Sequence, residues 1–181
     1  MNKHLKLVRE FHSAFSYHQA EHGTNARLSD MDIIVRQSLL MDEGSTVLHA
    51  LESGEMVEIL AGFINLAYCA LGAIAMKGDN VIEHDIAWQH DGFVLSLMRL
   101  LSDKINDCTS GNTENYSEVY SLCVHLSRSF LNADFDKALQ MVHDNNMAKL
   151  AKTGHSIYDD AEARQNLKRH AAADLSECLY E

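Results

Sequence analysis

Residues 59–76 read ILAGFINLAYCALGAIAM, a stretch without any formal charge in which only Asn65 and Tyr68 interrupt the apolar run. A helix that is apolar on every side must be buried, either in a protein core or in a bilayer. At a rise of ~1.5 Å per residue, a helix over this stretch also approaches the thickness of a bilayer, so both environments have to be considered.

Three features of this stretch favour a protein core over a membrane. Much of it is Ala, Gly and Cys, and small residues let neighbouring helices approach closely. The chain enters it through Glu52, Glu55 and Glu58 without a basic flank, and Asn65 places an amide inside it. We therefore predict that this stretch is the central helix of a soluble helical bundle.

The composition points to one all-α domain. The 181 residues include no proline, whereas average usage would supply about nine, and a chain without proline can run long helices without breaks. The net charge of -11 argues against a nucleic acid as partner. This negative charge is compatible with a site for divalent cations, but a contribution to solubility alone would explain it equally well. The four cysteines are far apart and the N-terminus has no secretory pattern, which predicts free thiols in the cytoplasm.

Local signals place the helices and their ends. Ser29 and Asp32 form a predicted capping box, and Gly78 closes the helix of the apolar stretch. Ser53-Gly54 leaves room only for a tight turn, so the second and third helices should be antiparallel neighbours. Apolar residues at helical spacing predict seven helices, over about 5–17, 30–52, 55–76, 79–105, 119–130, 134–153 and 159–180.

Two polar segments, 19–28 and 108–115, are predicted to be loops, and the second is the best candidate for a mobile one. We find no internal repeat and no strand with credible alternation of apolar and polar residues. The sequence therefore predicts an all-α bundle of about six or seven helices.

Four oxygen-bearing side chains on the second and third helices are candidates for a metal site. Asp42 and Glu43 are adjacent in mid-helix, and Glu58 and Asn65 are seven residues apart, so they share one stripe of the next helix. Clustered oxygen ligands suit Mg²⁺ or Mn²⁺. Alternatively, the three acids are solvated charges of a helix surface, although Asn65 inside an apolar helix needs a partner.

Three segments of the chain share their residue pattern with a known superfamily. They contain Val8, Phe11, His12 and Phe15; Arg36, Leu39, Leu40, Asp42, Glu43, Glu58, Gly62, Asn65, Tyr68, Leu71 and Gly72; and 134–136 with Val142, His143, Asn145, Asn146, Met147 and Lys149. On these residues the chain resembles the all-α nucleoside triphosphate pyrophosphohydrolases, the MazG-like and phosphoribosyl-ATP pyrophosphohydrolase-like superfamily. The third segment looks like the Ser-Asn-Met-x-Lys segment of that superfamily.

The resemblance implies a domain organisation and an oligomeric state. It implies a MazG-like helical core over about 1–80 and 133–154, with a helical pair inserted at about 82–132. A C-terminal helix at about 159–180 lies outside the part that resembles the superfamily. A homodimer is implied as well, together with a nucleotide or related phosphorylated small molecule as ligand and no membrane partner.

The resemblance also implies a reaction. In the superfamily, carboxylates on two helices hold Mg²⁺, or Mn²⁺, which binds the triphosphate and activates water. Cleavage between the α- and β-phosphates then gives the monophosphate and pyrophosphate. Carried over to this chain, Glu43 is the expected catalytic residue, and Asn146 and Lys149 are expected to contact the phosphates. The expected metal ligands are Asp42, Glu43, Glu58 and Asn65.

Several carboxylates of the superfamily motif are replaced in this chain. Thr46 stands where the third acid of the first motif belongs, and Gly62 and Asn65 stand at the glutamate and aspartate of the second. If the second motif is aligned one turn earlier, Glu58 is kept and Ala61 replaces the aspartate. The replacements leave a second hypothesis open, namely a catalytically degenerate helical module that binds nucleotides or another protein.

A third hypothesis is a His-Asp metal phosphohydrolase. His84-Asp85 and His90-Asp91 form two pairs six residues apart. On a helix this separation is about 600° of rotation and places the pairs on different faces, which weakens the hypothesis. We expect the remaining singled-out histidines to be surface or packing residues. They are His12, His18 and His143.

Overall fold

The structure, a computed structural model, describes residues 1–89, 91–153 and 172–180. Within these ranges the chain is all-α, as the sequence predicts, and its only β-pairing is an isolated bridge between Ala133 and Leu179. The six α-helices described are α1 Lys3–Ala14, α2 Asp30–Ser53, α3 Met56–Lys77, α4 Val94–Asp107, α5 Thr113–Ser129 and α6 Phe135–Thr153. Two 3₁₀ turns, Cys108–Ser110 and Ser176–Cys178, complete them.

Helix α3 is the centre of the bundle, which confirms the prediction from its apolar sequence. Of its 22 residues, 15 are buried, and it packs against α1, α2, α5 and α6. By length and composition α3 could also cross a membrane, but 78% of its most apolar window is buried inside the protein. Packing in the helical core therefore accounts for the apolar character of the helix.

The antiparallel pair α2–α3 forms as predicted. Ser29 and Asp32 make the capping box that begins α2, and Gly54 takes the left-handed conformation at its end, with φ +75. Gly62 lets the two helices approach closely, since a Cβ there would lie 2.9 Å from Cγ2 of Val47. The tight turn and this close contact together fix which residues of α2 and α3 face each other.

The fourth helix begins later than predicted. The described residues of 79–93 are not helical, and α4 starts only at Val94. Side chains of α5 hold this segment instead, because Ser117 Oγ accepts from the backbone N–H of Ile82 at 3.0 Å and His125 Nε2 lies 2.8 Å from the carbonyl oxygen of Trp88. These tertiary hydrogen bonds satisfy backbone groups that a helix would otherwise pair locally.

The predicted mobile loop at 108–115 is instead structured. Cys108 is buried in the 3₁₀ turn, and α5 already begins at Thr113. Gly111 has φ +69 and packs so closely on α2 that a Cβ would lie 2.6 Å from Cδ1 of Ile33. The polar residues of this segment form a tight connection between α4 and α5.

The prediction of a C-terminal helix over about 159–180 is wrong for residues 172–180, the part of this range that the structure describes. Residues 172–180 form the 3₁₀ turn and the isolated bridge, and the earlier part of the prediction, 154–171, lies outside the described residues. The backbone N–H of Asp134 donates to the carbonyl of Cys178 at 2.8 Å, and that of Tyr180 donates to Asn132 at 3.0 Å. This C-terminal segment therefore packs beside the beginning of α6.

Candidate functional site

Two of the predicted site residues, Glu43 of α2 and Asn65 of α3, lie at one level of the helix pair. Arg36 lies against Gly72, where an added Cβ would be 2.9 Å from Nη1 of the arginine. Glu43 is seven residues after Arg36 and Asn65 is seven residues before Gly72, so Glu43 and Asn65 are level in the antiparallel pair. Glu43 and Asn65 are both half-buried, whereas Asp42 is exposed.

The charges of the two acids reach Cys69 of α3, although the exposed Asp42 lines a depression on the outer face of α2 with Ile34 and Met41. Burial raises the pKa of the Cys69 thiol to about 12, Arg36 opposes this rise, and the charges of Glu43 and Asp42 add to it. Cys69 is four residues after Asn65, one turn along the same helix. The carboxylates of α2 thus act on the part of α3 that carries the predicted amide ligand.

Glu58 lies apart from this level. It is exposed beside the α2–α3 turn, where Ser53 Oγ donates to its Oε2 at 3.3 Å. The seven residues between Glu58 and Asn65 correspond to about 10 Å along α3. The structure therefore places Glu58 at the end of the helix pair, away from the level that Glu43 and Asn65 share. Among the described residues, no group of three or more His, Cys, Asp or Glu is arranged to hold a metal ion.

Positions 46, 61 and 62, at which the expected carboxylates are replaced, differ from one another in their surroundings. Gly62 faces α2 directly, and its contact with Val47 leaves no space for a glutamate side chain. Ala61 is half-buried, and Thr46 is exposed and donates its hydroxyl to the carbonyl of Asp42 at 3.1 Å. A glutamate would therefore not fit at position 62 without moving α2, whereas position 61 is less enclosed.

Helix α6 supplies the basic side of the candidate site. Lys149 is half-buried, its Nζ donates to Oδ1 of Asn146 at 3.3 Å, and burial lowers the pKa of the ammonium. Asn146 also contacts the hydroxyl of Tyr68, which lies 3.0 Å from Nδ1 of His143. Tyr68 is three residues after Asn65, so the α6 block contacts α3 about one turn from the predicted amide ligand. We call the candidate residues Asp42, Glu43, Asn65, Asn146 and Lys149 the acid–lysine cluster.

Arg36 and His12 form a buried polar pair that was not predicted as a site from the sequence. Arg36 is 6% exposed, and its Nε donates to Sδ of Met76 at 2.9 Å. His12 is buried beside it and its Nδ1 lies 3.3 Å from the carbonyl of His18, an arrangement in which Nδ1 is the donor. Burial and then the charge of Arg36 lower the pKa of His12 to about 3. His12 therefore has the packing role expected from the sequence. The burial of Arg36 could have been predicted from its position on the apolar stripe of α2.

The described residues of the two His-Asp pairs do not lie on a helix. His84 and Asp85 belong to the non-helical segment before α4, and His90 lies outside the described residues. Asp91 accepts from the backbone N–H of Phe93 at 2.9 Å and from Oγ of Ser96 at 2.7 Å. Its carboxylate therefore stabilises the beginning of α4, and nothing in the described contacts favours the His-Asp hypothesis.

Comparison with known proteins gives no match: no family model, no curated protein and no solved structure matches the chain. The function of the protein must therefore be argued from the acid–lysine cluster and the helices that hold it.

Proposed function

We propose that the protein is a Mg²⁺-dependent nucleotide pyrophosphohydrolase, related to the all-α superfamily that its sequence resembles. Its substrate is a nucleoside triphosphate or a similar phosphorylated small molecule, cleaved between the α- and β-phosphates. One observation supports this function above the others. Glu43 of α2 is level with Asn65 of α3, and Tyr68, one turn further along α3, contacts Asn146, to which the half-buried Lys149 donates. The cluster thus offers carboxylates for a cation beside an ammonium for phosphate oxygens.

The donor set fits a cation that arrives together with its nucleotide. Asp42, Glu43 and Asn65 offer two carboxylates and one amide oxygen. Mg²⁺ usually keeps several waters and is held by one or two carboxylates plus substrate phosphates. Bound in this way, Mg²⁺ or Mn²⁺ would neutralise phosphate charge and lower the pKa of a bound water. A preformed cage of acidic residues is not required for such a site.

The chain's own residues have separate roles in this proposal. Lys149 pairs with phosphate oxygens, because an ammonium that has lost part of its water gains from an anionic ligand. Asn146 orients that ammonium through its Oδ1. Glu43 is the half-buried carboxylate level with Asn65, and it is placed to accept the proton of the attacking water.

A second candidate is a module that binds nucleotides without hydrolysing them. The observation that favours it is the absence of a carboxylate at position 46 and at positions 62 and 65, or at position 61 in the alternative alignment, together with the contact of Gly62 with Val47. Both candidates use Lys149 for the phosphates, and they differ only in turnover.

A nucleotide screen with Mg²⁺ and with Mn²⁺ tests the proposal, with pyrophosphate and phosphate measured separately. Purified protein should release pyrophosphate and not phosphate. We expect Glu43→Gln to lower that release at least tenfold, since a general base typically contributes about 10²–10⁴-fold. The matched control is Glu52→Gln, an exposed acid elsewhere on α2, which should keep the wild-type rate.

The outcomes of the screen separate the two candidates. Unchanged release by the Glu43→Gln variant would remove the site assignment. No pyrophosphate from any nucleotide, combined with a raised melting temperature in the presence of one of them, would reject the hydrolase and support the binding module. No release and no change in melting temperature would reject both.

A further inference from the structure

Five polar side chains connect the surface of α1 to Lys149 by a chain of contacts across α3 and α6. Glu10 on α1 is exposed, whereas His143 on α6 is only 3% exposed. Oε2 of Glu10 lies 3.8 Å from Nε2 of His143, and Nδ1 of the same ring lies 3.0 Å from the hydroxyl of Tyr68. That hydroxyl also contacts Asn146, whose Oδ1 accepts from Lys149 at 3.3 Å. We call these five side chains the Lys149 chain.

The ammonium of Lys149 sets the direction of the hydrogen bonds along this chain. An ammonium has donors only, so it meets the carbonyl oxygen of Asn146 and leaves the amide N–H₂ to donate to the hydroxyl oxygen of Tyr68. The hydroxyl in turn needs an acceptor for its own hydrogen. Among its described contacts, Nδ1 of His143 is the acceptor within hydrogen-bond distance. The ring therefore carries its hydrogen on Nε2, which faces the carboxylate of Glu10.

Helix geometry and ring packing hold the Lys149 chain in place. His143, Asn146 and Lys149 follow each other at intervals of three residues, so they lie along one face of α6. The ring of Tyr68 is stacked on that of His143, with centroids 6.3 Å apart, and meets the ring of Phe11 edge-on at 5.6 Å. Burial also raises the pKa of Tyr68, so its hydroxyl keeps the hydrogen that it donates. The hydroxyl is therefore a fixed point against which Asn146 is oriented.

We propose that Tyr68 and His143 are positioning residues for Lys149, the expected phosphate contact. They hold Asn146 with its carbonyl oxygen towards the ammonium, and this contact restrains the lysine before a ligand arrives. A lysine loses rotamer freedom when it binds a ligand, so restraining it in advance favours binding. The role of Lys149 as a phosphate contact rests on the proposed function, whereas its positioning is a property of the free protein.

¹⁵N NMR of His143 in the ligand-free full chain tests the direction of the hydrogen bonds. At about pH 8, where imidazoles are neutral, the wild type should show His143 with its hydrogen on Nε2. In Lys149→Met the amide of Asn146 is able to turn, because the ammonium no longer faces it, and the form with the hydrogen on Nδ1 should appear. Lys137→Met changes an exposed lysine of the same helix and should leave the ring unchanged. A wild-type ring with its hydrogen on Nδ1, or the same ring in Lys149→Met as in the wild type, would overturn the proposal.

Removal of the Tyr68 hydroxyl tests what positioning contributes to binding. Calorimetry with inorganic triphosphate and Mg²⁺ measures the phosphate contact whatever the base of the natural ligand. We expect Tyr68→Phe to raise the dissociation constant about 2–10-fold, the net value of one hydrogen bond. In a Lys149→Met background the same change should have no further effect, because no ammonium is left to position.

Tyr120→Phe is the matched control for the lost hydroxyl. The hydroxyl of Tyr120 lies 2.7 Å from Nδ1 of His4 in a similar pair between α5 and α1, so its removal should leave triphosphate binding unchanged. An equal loss of binding in Tyr120→Phe, or a further loss from Tyr68→Phe in the Lys149→Met background, would overturn the positioning. If the wild type binds no triphosphate while the ring of His143 still responds to Lys149→Met, the proposed function fails and the positioning stands.

Discussion

At the scale of single residues, the buried pair of His12 and Arg36 makes the stability of the fold depend on pH. A neutral imidazole is the only form that this site accommodates well, because it is buried beside a guanidinium. The same contact explains Gly72, since an added Cβ would lie 2.9 Å from Nη1 of Arg36 and 3.3 Å from Nε2 of His12. The junction of α1, α2 and α3 therefore depends on a small residue, an uncharged ring and a buried cation.

We predict that His12 makes the protein sensitive to acid. Its pKa is about 3 in the folded state, against 6.5 as the ordinary value, so the unfolded chain binds the extra proton first as pH falls. The stability contributed by the neutral ring is complete above about pH 6.5 and is lost towards pH 3, by up to about 1.4 kcal/mol per pH unit. Urea unfolding between pH 7 and 4 should show a smaller pH dependence for His12→Gln than for the wild type. The control His49→Gln changes an exposed ring, so an equal reduction in that variant would contradict the prediction.

At the scale of the helices, Gly62 controls how closely α2 and α3 pack. We predict that Gly62→Ala lowers the free energy of unfolding by about 1–3 kcal/mol, since the new methyl group would lie 3.2 Å from Cα of Val47 as well as touching its side chain. Gly44→Ala is the comparison, because its methyl group meets only the flexible end of Ile105. Chemical denaturation should show the larger loss for Gly62→Ala, and equal losses would mean that backbone contact does not limit the helix separation.

The same helices show what could be predicted from the sequence and what could not. The apolar stretch of α3, the capping box at Ser29 and the tight turn at Gly54 are local signals, and each gave the right element. The late start of α4 depends on Ser117 and His125, which lie 35 and 37 residues from the groups that they bind. For the candidate site, the short turn predicted that α2 and α3 are antiparallel neighbours, but the expected convergence of Glu58 with Glu43 and Asn65 is not found, because Glu58 lies beside the turn itself. The contact of Gly62 with Val47 depends on how α2 and α3 are rotated about their own axes, which the spacing of residues in the sequence does not determine.

At the scale of the whole molecule, the candidate site draws on three helices. Asp42 and Glu43 are on α2, Asn65 is on α3, and Asn146 and Lys149 are on α6. The carboxylates and the expected phosphate contact therefore belong to different elements and can be changed separately.

We predict that a nucleotide in the presence of Mg²⁺ stabilises the folded chain through Lys149. At a free ligand concentration of about 100 times Kd, the free energy of unfolding should rise by about 2.7 kcal/mol. Lys149→Met should lose most of this gain, because we propose the half-buried ammonium as the phosphate contact, whereas Lys137→Met, which changes an exposed lysine of the same helix, should keep it. Thermal melts with and without nucleotide measure the effect, and hydrolysis is limited by working with Ca²⁺ as a second cation. A gain that survives in Lys149→Met, or one that is lost equally in Lys137→Met, would place the phosphates elsewhere on the molecule.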